Sequence, residues 1–261
     1  MAVDAVLFDL DDTLYDHRHA RRAGMQAIRR VEPALGRLPL DRLDRTFERL
    51  LSDIHISLVL TGKISLTQSR WLRMTRFLEE YRIELPRRRV QELIDLRLET
   101  YVRHRRAVPG AVALLRHLHD SGTTVGVVTN NLRSEQAEKL RVTGLDRLVD
   151  HLVCSEQVGV TKPDARIFRI ALRRAGAPPQ RTVMVGDSWE YDIVGAVRAG
   201  IRAVWFHRDS RPLPPMPSAD ELRSFRPLAR AIGVILGRPG RPPRSTRRAT
   251  RIRRARGPTP R

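Results

Sequence analysis

The sequence has a single cysteine, Cys154, among 261 residues. One thiol cannot form an internal disulfide, and because the chain shows no secretory signal we expect a protein of the reducing cytoplasm. Long apolar runs are also missing. None approaches the roughly 18 residues that a membrane-spanning helix needs, so no membrane partner is expected. An apolar fraction of 41% is nevertheless sufficient for a folded core.

Lysine is scarce as well, since Arg outnumbers Lys 46 to 3 in a chain with a formal net charge of +20. Half of that excess comes from residues 237–261, which hold ten Arg and no acidic residue. This Arg- and Pro-rich tail is predicted to be disordered because it has almost no apolar content. Such a tail could bind RNA or DNA through phosphate contacts. It lacks interleaved aromatic residues, so an unselected extension is the preferred interpretation.

The most informative segment lies close to the first residue of the chain. Apolar residues 6–8 are predicted to form a central strand of a parallel sheet, and Asp9 and Asp11 follow at its carboxyl end. Two carboxylates this close repel each other unless a cation or a shared proton relieves the repulsion. The segment therefore indicates a divalent metal, a pair of nucleophile and acid, or both.

Three further apolar segments are interpreted as strands, and each ends in a polar cluster. They are residues 125–128 before Thr129 and Asn130, residues 158–160 before Lys162, and residues 182–185 before Gly186, Asp187 and Asp192. Ligands of open α/β sheets bind outside the carboxyl ends of the strands. All four clusters lie at carboxyl ends, so we expect them to form one site.

The chain resembles the haloacid dehalogenase (HAD) superfamily of phosphohydrolases over roughly residues 3–236. That family carries four motifs in a fixed order: DxDxT, a strand that ends in Ser or Thr, a Lys, and GDxxxxD. This sequence has them as Asp9, Asp11 and Thr13, then Thr129, then Lys162, then Asp187 with Asp192. Each motif alone is weak, but four in the right order are specific.

The resemblance implies catalytic roles for the first motif and for the lysine. Asp9 would attack phosphorus and form an aspartyl-phosphate. Asp11 would protonate the leaving oxygen and later activate water, while Thr13 would hold the first loop in place. Lys162 would neutralise both Asp9 and the bound phosphoryl group, as a compact ammonium can.

The same resemblance implies how substrate and metal are bound. The Thr129 hydroxyl and the Asn130 backbone amide would contact the phosphoryl group, together with Lys162. A Mg²⁺ ion would be held by the Asp9 carboxylate, the Asp11 backbone carbonyl and Asp187, because Mg²⁺ prefers oxygen ligands. Asp192 is either a further ligand or, preferably, an acceptor that orients the site.

The spacing of the motifs predicts an insertion. Asp9 and Thr129 are 120 residues apart, whereas the later intervals of 33 and 25 residues each fit one helix and one strand. Residues 16–106 are predicted to be all-helical because apolar residues recur every three or four positions. In the resembling family this segment is a helical cap that closes over the site. A helical bundle without a lid role is the alternative.

The predicted fold is therefore α/β, with a doubly wound parallel sheet, the Rossmann-like HAD core, and an inserted helical cap domain. Residues 1–15 and 107–236 would form the core, residues 16–106 the cap, and residues 237–261 the tail. Within the core we predict a helix over residues 192–199 and a helix capped by Ser134. The eight histidines do not form a recognisable set of metal ligands.

The leading functional hypothesis is a Mg²⁺-dependent phosphatase that acts on a small phosphomonoester. A 2-haloacid dehalogenase of the same fold needs no metal and usually lacks the second acid, so Asp11 and Asp187 argue against it. A phosphosugar mutase would need a further acid–base group in the cap, which the sequence does not identify. Nucleotides, sugar phosphates and phosphoglycolate all stay open as substrates. Oligomeric state stays open too, and the cap candidates Arg18, Arg21, Arg22 and His55 cannot be ranked.

Overall fold

A parallel β-sheet of six strands lies at the centre of the computed structural model, which describes residues 2–208 and 219–237. The order of the strands across the sheet is β3-β2-β1-β4-β5-β6. The chain therefore begins in the middle, extends to one edge, and returns to extend to the other, which confirms the doubly wound sheet. The strands are β1 (Ala5–Phe8), β2 (Thr124–Thr129), β3 (His151–Cys154), β4 (Thr182–Gly186), β5 (Arg202–Phe206) and β6 (Asp220–Leu222).

The central strand β1 is buried on both faces, as its continuous apolar sequence predicts. Val6 and Phe8 pack into one apolar cluster, while Leu7 faces the cluster on the opposite side of the sheet. Leu7 lies beside Gly126 of β2. A Cβ at Gly126 would come within 2.7 Å of the Leu7 side chain, so the glycine gives Leu7 room in the neighbouring strand.

Helices cover both faces of the sheet, and all of them except the last lie in connections between strands. They are α6 (Ala111–Asp120), α7 (Arg133–Val142), α8 (Ser155–Val158), α9 (Ala165–Ala175), α10 (Gly195–Arg198) and α11 (Leu228–Ile235). Helix α9 begins after Asp164, whose side chain accepts a hydrogen bond from the Arg166 amide, and it stops at Gly176 in the left-handed conformation. Both ends follow from local sequence.

Within the long interval between β1 and β2, the segment 16–106 folds as helices joined by loops, which confirms the all-helical insertion. Its helices are α1 (His17–Val31), α2 (Pro33–Gly36), α3 (Leu40–Ile54), α4 (Leu66–Glu80) and α5 (Arg87–Arg103), and a π-helical turn (His55–Val59) follows α3. They enclose an apolar core of their own that includes Phe47, Phe77 and Leu93. The division of the chain into core, cap and tail domains stays a prediction.

Three local predictions differ from the structure. Residues 158–160 are not a strand: Val158 ends helix α8 and a loop follows, so the preceding strand is β3. The predicted helix over residues 192–199 starts earlier, as a π-helical turn (Trp189–Val194) that continues into α10. Helix α7 begins after Leu132, and Ser134 is its second residue rather than its cap. Short apolar runs and helix ends are set by tertiary contacts as much as by sequence.

Within residues 2–208 and 219–237, no helix combines the length and the apolar character needed to cross a bilayer. The predicted disordered tail lies outside the described residues except for Gly237.

Candidate active site

Residues of three motifs lie at the carboxyl ends of three neighbouring strands. Asp9 follows β1, Thr129 is the last residue of β2, and Gly186 is the last residue of β4. Strand β1 lies between β2 and β4, and all three are parallel. One half of the sheet extends outwards from β2 and the other half extends outwards from β4. This is the crevice in which open α/β sheets bind ligands. The strand order therefore brings the separate sequence motifs into one place, as predicted.

Three carboxylates and one ammonium form the centre of the site. Oxygens of Asp9, Asp187 and Asp192 lie within 4.8 Å of one another. Lys162 Nζ donates to Asp9 Oδ1 and to Asp192 Oδ1, both at 2.6 Å, and to the Val128 carbonyl at 2.8 Å. Lys162 and Asp192 are almost fully buried. Because these three carboxylates could hold a metal ion, we call this group the metal-side cluster.

The charges of the metal-side cluster do not balance, since three carboxylates face one ammonium. Burial, with help from the neighbouring acid Asp192, raises the pKa of Asp9 to about 7 despite its contact with Lys162. Burial and the nearby Asp9 and Asp192 raise the pKa of Asp187 well above its usual range. Buried Lys162 has a raised pKa, because its two carboxylate partners outweigh the cost of burial. A divalent cation bound by oxygen atoms would relieve this repulsion.

The π-helical turn after β4 brings Asp192 back towards the strand end. The Ser188 amide donates to Asp192 Oδ2 at 3.0 Å, and the Ser188 hydroxyl accepts from the Tyr191 amide. A Cβ on Gly186 would overlap the Asp192 carboxylate, so only glycine leaves space for this approach. The turn thus explains both the glycine and the spacing of the fourth motif.

A clamp from β2 fixes the loop that carries Lys162. The Asn130 side chain accepts from the Lys162 amide at 2.7 Å and donates to the Lys162 carbonyl at 2.9 Å. Asn130 was predicted to contact substrate through its backbone, and the structure gives its side chain a different task. Because Asn130 binds both the amide and the carbonyl of Lys162, it fixes the backbone position from which the Lys162 ammonium extends into the site.

Asp11 lies in a second polar group, on the other side of the first loop. Its two oxygens accept from Lys139 Nζ at 2.7 and 2.8 Å, and Oδ2 also accepts from Gln136 Nε2 at 3.0 Å. Gln136 Nε2 reaches Thr129 Oγ1 at 3.3 Å as well. We call this group the cap-side cluster. It links the first and second motifs through helix α7.

Electrostatics of the cap-side cluster are opposite to those of the metal-side cluster. Burial alone would favour the neutral acid, but the Lys139 ammonium and the hydrogen bonds lower the pKa of Asp11 below its usual range. His17 Nδ1 lies 4.0 Å from Asp11 Oδ1 and 2.9 Å from the Tyr101 hydroxyl. Burial lowers the pKa of His17 to about 3, so its ring is neutral at pH 7.

The first loop has contacts that the sequence did not predict. Thr13 is fully buried, and its hydroxyl has no hydrogen-bond partner among the described residues. Asp12 adopts a left-handed backbone with φ of 62°, which Asp tolerates better than most residues. Its carboxylate accepts from the Arg18 amide at 2.7 Å and from the Arg208 guanidinium at 2.9 Å. The loop is therefore tied to α1 through Asp12.

A cavity of about 250 Å³ lies between Asp11 and the helical insertion. Asp11, Asn131 and Lys139 line its floor, while α3, α4 and α5 supply most of the remaining wall. Of the four cap candidates only His55 lines it. Arg21 and Arg22 instead pair with acids of α3.

Lys139 and Gln136 are site residues that sequence reasoning missed. They lie on α7, one turn apart, and no motif marks them. A signal for Lys139 was available: in a chain with 46 Arg it is one of three Lys, and Lys162 is another. Gln136 left no signal, because its role depends on where α7 packs.

Comparisons with known proteins agree with this fold. The family model described as haloacid dehalogenase-like hydrolase matches residues 3–200. A glyceraldehyde 3-phosphate phosphatase of Methanothermobacter thermautotrophicus is 35% identical over 206 residues, which are 77% of this chain and 84% of the relative. A phosphoserine phosphatase of Thermus thermophilus is 39% identical over 125 residues, 47% of this chain and 50% of the relative.

Among solved structures, the HAD hydrolase YfnB of Bacillus subtilis, determined with bound magnesium, has a TM-score of 0.67 at 22% identity. The alignment covers 90% of this chain and all of that one, and at this identity it supports the fold alone. The motif residues, the sheet topology and the match over residues 3–200 lead to one conclusion. The chain belongs to the haloacid dehalogenase-like hydrolase family.

Proposed function

We propose that the protein is a Mg²⁺-dependent phosphatase that hydrolyses a small phosphomonoester through an aspartyl-phosphate. The observation that carries the proposal is the metal-side cluster. Asp9, Asp187 and Asp192 converge at a strand end with Lys162 as their one ammonium partner among the described residues. A nucleophilic carboxylate beside a cation site is the arrangement that phosphoryl transfer to Asp requires.

The residues present suit Mg²⁺. All donors are oxygens, and two formal negative charges are left after the one ammonium is counted, which matches a divalent cation. Asp9 and Asp187 would bind the ion, together with the Asp11 backbone carbonyl, and Asp192 would bind it or orient Lys162. When bound, Mg²⁺ would neutralise charge on the phosphoryl oxygens.

The chain's own groups then divide the reaction between them. A bond forms between an Asp9 oxygen and phosphorus while the bond from phosphorus to the ester oxygen breaks, and that oxygen takes a proton from Asp11. Water next attacks phosphorus, gives its proton to Asp11, and the bond to Asp9 breaks. Lys162 and the Thr129 hydroxyl would stabilise the phosphoryl oxygens throughout.

The contacts of Asp11 favour the second of these steps. Lys139 lowers its pKa, so its carboxylate is ionised and able to accept a proton from water. Protonation for the first step requires Asp11 to exchange its contact with Lys139 for one with the substrate. We therefore assign Lys139 a positioning role for Asp11.

The helical insertion is proposed to act as a lid, because the cavity lies between it and Asp11. A volume of about 250 Å³ is slightly below the usual range for ligand pockets, which starts at about 300 Å³, and favours a small substrate. The named relatives act on glyceraldehyde 3-phosphate and on phosphoserine, both small phosphomonoesters. A cytoplasmic location is proposed on the single, buried Cys154. Nucleic-acid binding by the tail is not favoured.

Hydrolysis of p-nitrophenyl phosphate by the purified protein tests the proposal, with Mg²⁺, with EDTA, and with Asp9→Asn. We expect activity that requires Mg²⁺ and falls by at least about 1,000-fold in Asp9→Asn, since the nucleophile is lost. Asp120→Asn, an exposed acid at the end of α6, is the matched control and should behave as wild type.

Two results would contradict this assignment. Halide release from a 2-haloacid without Mg²⁺ would assign the chain to dehalogenation. Phosphate transfer from one sugar hydroxyl to another, in place of free phosphate, would assign it to mutase chemistry.

A further inference from the structure

Arginine side chains surround the part of the cavity that lies away from the metal-side cluster. Five basic and three acidic residues line the whole cavity. The basic ones are Arg70, Arg73, Arg97, Arg105 and Lys139, and the acidic ones are Asp11, Glu135 and Glu138. An excess of two positive charges therefore faces a small cavity that is open on one side to solvent.

Ion pairs within the lining leave this excess of two positive charges unchanged. Lys139 pairs with Asp11 at 2.7 Å, and Arg105 pairs with Glu138 at 2.5 Å. Arg97 forms no hydrogen bond or ion pair with any described residue, and its Nε is buried without a partner. Burying a charged group without a partner is costly, so the arrangement favours a ligand that supplies negative charge.

The position of Arg97 shows which ligand contact it could make. Its guanidinium carbon lies 3.8 Å from the centroid of the Phe47 ring, and that of Arg73 lies 5.8 Å from the same ring. Stacking on an aromatic face compensates a cation only in part, and it leaves the N–H groups at the edge free to donate. Burial and the neighbouring positive charge of Arg73 lower the pKa of Arg97 to about 9, so the Arg97 guanidinium stays charged at pH 7.

Glu135, the remaining acid of the lining, acts on Arg73, and the titratable groups nearest Arg97 supply no free anion. His17 and His55 line the cavity with lowered pKa values and are neutral at pH 7. Burial raises the pKa of Tyr101, so its phenol is neutral too. The negative charge of Asp44 acts on the pKa of Arg97, but Asp44 already pairs with Arg21 at 3.0 Å.

We propose that Arg97, supported by Arg73, binds a second anionic group of the substrate, so the preferred substrates are phosphomonoesters that also carry a carboxylate or another phosphate. This inference rests on the proposed function and adds the substrate class. The phosphoryl group to be transferred would lie at the metal-side cluster beyond Asp11, and the second anion would lie against α5. Arg97 would thereby determine specificity without touching the reacting atoms.

Matched substrates test the inference. 3-Phosphoglycerate and glycerol 3-phosphate share a three-carbon skeleton and differ in having a carboxylate or a hydroxymethyl group. We expect kcat/KM of the wild type to be higher for 3-phosphoglycerate by about 10- to 100-fold, the range of a charged hydrogen bond. Comparing kcat/KM for fructose 1,6-bisphosphate and fructose 6-phosphate tests a second phosphate in the same way. The two pairs of substrates together show whether the second anion is a carboxylate or a phosphate.

The variant Arg97→Gln keeps a planar polar group but removes the charge. It should remove the preference, mainly through KM, while kcat/KM for glycerol 3-phosphate changes by less than about threefold. Arg97→Lys should restore part of the preference because it restores the positive charge. A purely structural role of Arg97 in stacking on Phe47 would not predict this recovery. Arg88→Gln is the matched control, because Arg88 lies on the same helix with a side chain that is 93% exposed.

Binding supplies a readout that does not depend on turnover. By calorimetry, Asp9→Asn protein should bind 3-phosphoglycerate at least about tenfold more tightly than the Asp9→Asn/Arg97→Gln protein does. An equal loss for both substrates in Arg97→Gln, or equal binding by the two Asp9→Asn proteins, would overturn the inference. Hydrolysis of p-nitrophenyl phosphate that is insensitive to Asp9→Asn would instead overturn the proposed function, and the two failures are therefore distinguishable.

Discussion

Lys162 and Lys139 each bind one aspartate of the first motif, and their environments differ. Lys162 is shared by Asp9 and Asp192 inside a cluster that holds a third carboxylate, and its side chain is 3% exposed. Lys139 binds Asp11 alone, through both oxygens, beside an open cavity. The first cluster is short of positive charge, and the second is balanced.

This difference shifts the pKa values of Asp9 and Asp11 in opposite directions, although the two aspartates are only two residues apart in sequence. Burial among acids raises the pKa of Asp9, whereas pairing with one ammonium lowers that of Asp11. Two acids with environments that shift them in opposite directions can take different roles in one reaction. Strand geometry alone would have left them equivalent, so the two lysines and the helices that carry them create the distinction.

The largest effect is expected from removing the shared lysine. Lys162→Met leaves Asp9 and Asp192 without their cation, and breaking a buried pair costs about 3–5 kcal/mol. We expect a loss of that size in the free energy of unfolding, measured by urea denaturation in EDTA. Phosphatase activity should fall by about 100- to 1,000-fold with the lost charge stabilisation.

The third lysine supplies the matched control for that change. Lys63 is exposed in the loop before α4, so Lys63→Met should change neither quantity measurably. A Lys162→Met protein as stable and active as Lys63→Met would show that the metal-side cluster does not depend on its ammonium.

A smaller effect on the same cluster is expected from Gly186→Ala. The new Cβ would overlap Asp192, which must move away from Lys162. Overpacking typically costs about 1–3 kcal/mol, and the activity should fall with it. Urea denaturation and p-nitrophenyl phosphate hydrolysis measure the two consequences.

Gly233→Ala is the control for this substitution, since a Cβ there meets no atom within 4 Å and the residue lies in helix α11. It should stabilise the protein by up to about 1 kcal/mol. Equal behaviour of the two variants would contradict the close approach of Asp192 to the end of β4.

The smallest effect is expected at the balanced cluster. Lys139→Met removes the partner of Asp11, but the Asp11 side chain is 28% exposed and can be hydrated. We expect a loss of about 1 kcal/mol in the free energy of unfolding, and a loss of about tenfold in kcat because Asp11 is less well oriented. A greater loss of stability than in Lys162→Met would reverse the comparison.

Much of the secondary structure and the position of the site could be predicted from the sequence, because they depend on patterns within short segments of the chain. The continuous apolar run of β1 requires burial on both faces, and the helix period of residues 16–106 requires one apolar face for each helix. Strand ends at Asp9, Thr129 and Asp187 then locate the site, since parallel strands place their carboxyl ends at one edge. Family, fold and site position needed no coordinates.

Tertiary structure decided which side chains meet at that edge. Lys139 and Gln136 reach Asp11 only because α7 packs on β3, and the Asn130 side chain binds the Lys162 loop. Arg97 faces the cavity because α5 packs on α1 and α4, which brings its guanidinium over the Phe47 ring of α3. Among 46 arginines no local pattern could have selected it. Charge balance depends on neighbours in space, and these are set only when the helices pack.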